Sequence, residues 1–256
     1  MSRFGNLELE GGASELQPES RQNQDASRWL VEAETAFGQM EFESALRFYA
    51  RVLEFDANQS TAWAGQVRAL IELGEFREAQ VWADKALERL PTSPELLAAK
   101  GVALARLGDL DSALALSDAS LEERGDTPYI WLARGDVLLA RKEGRAEFCF
   151  ERACSLAPRN ALIVWLAGRI RHYYDQFAAA LKLAQTAVEL DAGRFAHWVL
   201  MGDCQLALGW SENARRSWIQ AEQLAPRSDA VSRRLLQLDR RGLVPKLLGK
   251  VRDLLR

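Results

Sequence analysis

Residues 195–228 read FAHWVLMGDCQLALGWSENARRSWIQAEQLAPRS, and the spacing inside this stretch organises most of the chain. Trp198 and Gly202 come first and a Leu208-Gly209 break follows. Ala214, Trp218, Ala221 and Pro226 then stand 16, 20, 23 and 28 residues after Trp198. An antiparallel pair of helices packs closely only where the crossing points carry little side chain, which assigns Gly202, Ala214 and Ala221 to the contact and Trp198 and Trp218 to its flanks. Gly209 supplies the left-handed residue that closes a first helix. Pro226 stops the second.

The pattern resembles the tetratricopeptide repeat, a helix-turn-helix unit with a period of about 34 residues. The resemblance implies an all-α fold: a right-handed superhelical solenoid of six such units with a C-terminal capping helix. The units are 26–59, 60–93, 94–127, 128–160, 161–194 and 195–228, together 203 of 256 residues. Trp29, Trp63, Trp131 and Trp198 fall at one position of the unit. The first unit has Gln39-Met40 where others have Leu-Gly, which weakens its turn signal. The fourth is one residue short, and the spacing predicts a tightened turn near Arg141–Gly144 with undisturbed packing on either side.

Outside the repeats, residues 1–25 carry five acids against two arginines and predict a disordered acidic segment, relieved by Phe4, Leu7 and Leu9, a patch suited to docking on this protein or another. A solenoid needs an end cap that is apolar inside and polar outside. Residues 229–241 fit it, with Val231, Leu235 and Leu238 on one face. Residues 242–256 then predict a basic amphipathic helix, with Lys246, Lys250, Arg252 and Arg256 opposite leucines and valines. Its chemistry suits either completion of the cap or an anionic membrane or partner groove.

Composition narrows the function. Hydrophobic residues at 48% with eight Trp supply a core, and a net charge of −3 argues against nucleic acid as partner. Cys149, Cys154 and Cys204 are odd in number and form no CxxC pair, so neither a disulfide framework nor a zinc site is expected. The first residues lack the basic start and apolar run of a secretory signal, and no apolar run approaches the roughly 20 residues of a membrane helix, so a cytoplasmic address is expected. No phosphate loop, nucleophile elbow, zinc-protease or calcium-loop motif is present, which predicts a non-enzyme without cofactor, catalytic residue or metal.

The resemblance further implies a concave face lined by the first helix of each unit, where a partner's peptide or helix lies. The side chains it places there include Arg68, Arg106, Tyr129, Trp165, Arg169, His172, Tyr173 and Asp203. Trp165, Arg169, His172 and Tyr173 share one side of one helix, and Trp, Tyr and Arg tend to dominate interface energy. Val164 holds the usual core position beside Trp165, so core or partner contact are both open to the tryptophan. The Lys and Asn clamp with which one version of the fold grips chaperone tails is absent: its places hold Leu30, Glu34, Gly65, Glu95 and Ala99. The expected role is a protein-interaction scaffold, with self-association or attachment through residues 243–256 as the alternative.

Overall fold

The structure is a computed structural model that describes the backbone of residues 18–123 and 125–240 and the side chains from residue 25 on. Every regular element among these residues is helical. Six hairpins follow one another: α1 (Pro18–Gly38) with α2 (Phe42–Phe55), α3 (Ser60–Leu73) with α4 (Phe76–Arg89), and α5 (Pro94–Leu107) with α6 (Leu110–Glu122). Then come α7 (Pro128–Ala140) with α8 (Ala146–Leu156), α9 (Ala161–Tyr173) with α10 (Phe177–Leu190), and α11 (Phe195–Ala207) with α12 (Ser211–Leu224). A thirteenth helix, α13, covers residues 229–240 and buries Val231 and Leu238 against Trp218 of α12.

α1 begins at Pro18, so residues 18–25, expected to be disordered, are helical. Pro18 fits the first helical position because its missing N–H would have no partner there, and no breaker intervenes before Gly38. Residues 1–17 lie outside the described residues, as do 241–256, which include the end of the expected cap and the basic segment.

Each hairpin turns on one left-handed residue. These are Met40, Gly74, Gly108, Lys142, Asp175 and Gly209, with φ between 59° and 92°. The N–H following each returns to a carbonyl five residues back, as in Glu75 N to Leu70 O at 2.9 Å and Glu143 N to Leu138 O at 2.9 Å. That bond satisfies a carbonyl the helix end would otherwise orphan. Met40, Lys142 and Asp175 therefore adopt glycine's conformation. The fourth unit corrects the sequence expectation, since its turn is not tightened: α7 ends at Ala140 and α8 starts only at Ala146. Lys142 keeps its place in the ladder, so the missing residue falls after it and unwinds the first turn of the second helix.

The tryptophans of the shared position dock on the connection before their own unit. Trp63 Nε1 donates to Ala57 O and Trp198 Nε1 to Ala192 O, both at 2.9 Å, while Trp131 Nε1 donates to Asp126 Oδ1 at 2.7 Å. Trp29 instead stacks on Phe48. Between the helices of the sixth hairpin, a Cβ on Gly202 would run into the Trp218 ring, and in the fourth a Cβ on Gly135 would run into Phe150. These are the close approaches that the small residues permit.

First helices stack on first helices, α1 on α3, α3 on α5, α5 on α7, α7 on α9 and α9 on α11. The curvature of this stack brings the ends of the array together. One buried cluster joins Phe37, Phe42 and Tyr49 of the first hairpin to Trp165, Ile170 and Leu200 of the last two, with no buried member from α4, α5 or α6. Met40 packs on the last cluster as well, and Gly38 lies against the guanidinium of Arg194. The solenoid is wound tightly enough for its first turns to rest on its last.

Candidate functional site: a filled throat and an open mouth

Winding decides what becomes of the concave face. The inward side chains of α1, α3, α5, α7 and α9 meet across the axis rather than facing solvent. Arg68 lies between the rings of Phe37 and Tyr129, 4.7 and 4.4 Å from their centroids. Arg106 grips Asp136 with two hydrogen bonds, Nε to Oδ1 at 3.0 Å and Nη2 to Oδ2 at 2.6 Å, and Tyr174 donates to the same carboxylate at 2.7 Å. Arg169 Nε donates to Glu72 Oε2 at 2.6 Å, a pair separated by 97 residues of chain. Its guanidinium also faces Trp165 and Phe42.

The electrostatics of this interior follow from burial. Desolvation works against the charge on Arg106, but the facing Asp136 carboxylate outweighs it and the guanidinium is held more firmly protonated than usual. Burial raises the Tyr129 and Tyr174 hydroxyls, so both remain donors. Between Phe37, Arg68, Tyr129, Asp136, Leu166 and Ile170 a cavity of about 30 Å³ remains. A water needs roughly 10–15 Å³ by such a measure, so the throat admits a water or two and no peptide.

The eight side chains expected to bind a partner thus divide. Trp165 is fully buried, and its Nε1 donates to Ala196 O at 3.1 Å across to the next unit. The expectation that it faces a ligand is corrected: Val164 and Trp165 are both core, because the last turn of the solenoid covers the side of α9 that a single hairpin would expose. Arg68 and Tyr129 line the closed throat and have one another as partners. Arg106, Arg169 and Tyr173 border an opening of about 180 Å³ beside Glu72 and Phe76. Tyr173 is 47% exposed there, with its ring edge-on to Phe76 and facing Arg106.

His172 and Asp203 line a larger cavity of about 530 Å³ at the C-terminal ends of α9 and α11, closed on one side by α13. Leu206, Trp218 and Leu238 form its apolar wall, and Arg233, Arg234 and Gln237 its polar one. Asp203 is fully engaged: Arg234 donates from Nε and Nη2 at 2.6 and 2.7 Å, and Trp218 Nε1 donates at 3.1 Å. Burial lowers the His172 pKa, with Arg169 and Arg234 adding to the effect and Asp203 opposing it, so the ring is neutral at neutral pH. The contributions of Arg233, Arg234 and Gln237 were missed in the sequence. α13 reads there as a cap, and only its polar face, directed back over α11, carries the signal.

No catalytic or metal-binding arrangement emerges among the described residues, where no group of three His, Cys, Asp or Glu side chains could hold a metal. Burial raises the thiols of Cys149, Cys154 and Cys204, the last to about 12, which keeps them protonated and unreactive. Among the described residues no helix is long and apolar enough to cross a membrane.

Comparison with known proteins agrees with this architecture. A tetratricopeptide repeat family model matches residues 36–102. No curated protein matches the sequence. Among solved structures, a chain of the APC/C hetero-tetramer Cut9-Hcn1 superposes with a TM-score of 0.51 at 14% identity, covering 86% of this chain and 46% of that one. YrrB, a TPR protein with an unusual peptide-binding site, gives 0.42 at 16% identity, covering 72% and 96%. PilW, a type IV pilus biogenesis factor, gives 0.49 at 21% identity, covering 83% and 99%. At such identities the likeness concerns the fold, and the superposition on the APC/C chain carries it. Six hairpins turning on a left-handed residue every 33 or 34 positions, with the family model running from the end of α1 into α5, give the chain the architecture of a tetratricopeptide repeat solenoid.

Proposed function

We propose that the protein is a non-enzymatic interaction scaffold that holds a segment of another protein at the mouth of its solenoid. The observation that carries this reading is the contrast of volumes, about 530 Å³ at the mouth against about 30 Å³ in the throat. The binding surface then consists of His172, Tyr173 and Asp203 together with Arg233, Arg234 and Gln237. Trp165, Arg68 and Tyr129 hold the walls in place. A cavity of this size takes one or two side chains of an extended segment, with the half-buried Leu206 supplying apolar contact and Arg233 a charge-assisted hydrogen bond. The peptide-binding site named for YrrB is compatible with such a role. A cytoplasmic address belongs to the same proposal, supported by three cysteines without a disulfide partner.

Photo-crosslinking tests it. A crosslinking residue at Tyr173 or Gln237 is expected to trap a partner that the same residue at Val81, exposed on the outer face of α4, does not. Equal trapping from all three positions, or trapping from Val81 alone, moves the binding surface elsewhere.

A further inference from the structure

Among the described residues the array ends on a first helix. α13 is capped like its counterparts, with the Ser228 carbonyl accepting from Val231 N and Ser232 N at 3.1 and 3.2 Å, and it buries Val231 and Leu238 against α12. Leu236 of the same helix is 57% exposed. It stands eight residues after the cap, and in other units that place faces the unit's own second helix. A Cβ on Gly135, eight after Thr127, would meet Phe150 of α8, and one on Gly202, eight after Arg194, would meet Trp218 of α12. A branched side chain fits there too: Val67, eight after Gln59, is fully buried in one cluster with Ala79 and Ala83 of α4. Leu236 thus lies where a second helix would cover it.

The sequence that follows carries the spacing of such a helix. Buried residues of each second helix stand at fixed distances from the left-handed turn residue: Ala79, Ala83 and Ala86 come 5, 9 and 12 after Gly74, and Ala214, Trp218 and Ala221 the same after Gly209. Met40, Gly108 and Asp175 keep these offsets, and Lys142 keeps them less its missing residue. Counted from Gly242, they fall on Leu247, Val251 and Leu254, all apolar. At 3.6 residues per turn Val244, Leu248 and Leu255 widen this into one face, while Lys246, Arg252, Asp253 and Arg256 take the rest. Pro245 falls in the first turn, where a missing N–H is tolerated. Gly242 comes 14 residues after its cap against 15 in the other units, and the fourth unit shows that the array absorbs a one-residue difference near a turn. The 13 residues from Val244 to Arg256 match the 11 to 14 of α8 and α10, and a connection as short as 241–243 returns a chain antiparallel to the helix before it.

We propose that residues 244–256 are the second helix of a seventh hairpin, docked on α13 with Val251 over Leu236 and the basic side chains outward. Tethered by three residues, the segment meets α13 at an effective concentration on the order of millimolar, which a second copy does not match at ordinary protein concentrations. The segment then braces the helix that carries Arg233, Arg234 and Gln237, and the mouth keeps its polar wall.

Disulfide trapping in the full chain tests it. On mild oxidation of dilute protein, Leu236→Cys/Val251→Cys is expected to close a bond within one chain about tenfold faster than Leu236→Cys/Asp253→Cys, whose second thiol points away, since a disulfide forms only between Cβ atoms that face each other at short range. Peptide mapping tells this bond from any made by Cys149, Cys154 or Cys204. Leu247→Asp/Leu254→Asp is expected to lower the urea midpoint and the amide protection of α13, whereas Lys246→Glu/Arg256→Glu leaves both near wild type. Equal trapping of the two cysteine pairs, or an unchanged midpoint in Leu247→Asp/Leu254→Asp, would overturn the proposal. Trapping only between chains would give the face to a second copy. Cosedimentation of wild type with phosphatidylserine vesicles, lost in a chain ending at residue 242 and found in place of trapping, would give the segment to a membrane. Either result likewise overturns it.

Discussion

Replacing Trp165 by alanine decides between a tryptophan that holds the fold and one that holds a partner. Its side chain is fully buried between α9 and α11, and truncating a buried tryptophan costs about 3–5 kcal/mol in lost transfer energy and cavity. The Ala196 carbonyl loses its indole donor as well but keeps its partner within α11, so this hydrogen bond adds about 0.5–1.5 kcal/mol. The sum lies near the upper end of what single substitutions do, and it is comparable with the whole stability of many domains, roughly 5–15 kcal/mol. Tyr173, eight residues on, is the internal control. It is 47% exposed, and its contacts with Phe76 and Arg106 are worth on the order of 1 kcal/mol. Urea unfolding followed by circular dichroism should show a large drop in midpoint for Trp165→Ala and a small one for Tyr173→Ala. Partner crosslinking from Gln237 should weaken with Tyr173→Ala despite its near-native stability. A Trp165→Ala protein that melts like wild type would refute the assignment of this residue to the core, and with it the closed throat.

Three further outcomes follow from the same geometry. Asp136→Ala strands the Arg106 guanidinium in a buried site and should cost about 3–5 kcal/mol, whereas the double replacement Arg106→Met/Asp136→Leu should recover most of it; a double-mutant cycle in urea measures the coupling. Lys142→Gly should stabilise by roughly 0.5–1 kcal/mol, because a side chain at φ 59° is strained by about 1–2 kcal/mol and glycine returns part of that as chain entropy, while Gly74→Ala, at φ 83°, should destabilise by a similar amount in thermal melts. Burial lowers the pKa of both His172 and His197, the latter fully buried with Nδ1 on the Asp191 carbonyl at 2.9 Å. The unfolded chain therefore takes up these protons first, so their contribution is complete above about pH 7 and is lost as pH falls through 6.5 towards the lower folded values. The urea midpoint should drop between pH 7.5 and 5.5, and by less in His197→Asn.

The hairpins were legible because each rests on local chemistry that one sequence displays. Trp63, Trp131 and Trp198 announce a unit and bond to the connection before it, and Gly74, Gly108 and Gly209 announce a turn by the only side chain that costs nothing at positive φ. Met40, Lys142 and Asp175 carry no such announcement. They are held left-handed by the bond from the following N–H back to the preceding helix, a demand of the turn that residue type does not reveal. The shortened fourth unit is a related case. Spacing locates a missing residue between two packed positions, but whether a turn tightens or a helix unwinds depends on which loses less. The turn at Lys142 keeps its closing bond, and the first turn of α8 gives way.

The concave face was legible in direction and illegible in consequence. Position within the repeat places Arg68, Arg106 and Arg169 on the inner side of the stack, and in the structure they contact Tyr129, Asp136 and Glu72. What they meet there depends on the rotation from each unit to the next, a quantity spread over many small contacts such as Gly168 of α9 against Leu200 of α11. Small differences at each step add over six units. The sum brings Glu72 to Arg169 and Phe37 to Arg68, and cations that face a groove in an open array become pillars in a closed one. In a simple repeat array each unit touches only its neighbours, so stability is a sum of local terms and the ends fray first. The buried cluster shared by the first and the last two hairpins removes that independence: loosening α1 uncovers the core of α9 as well. Closure therefore stabilises the two ends of the array through each other, and under the proposed function a partner at the mouth of α9, α11 and α13 binds without breaking that shared core.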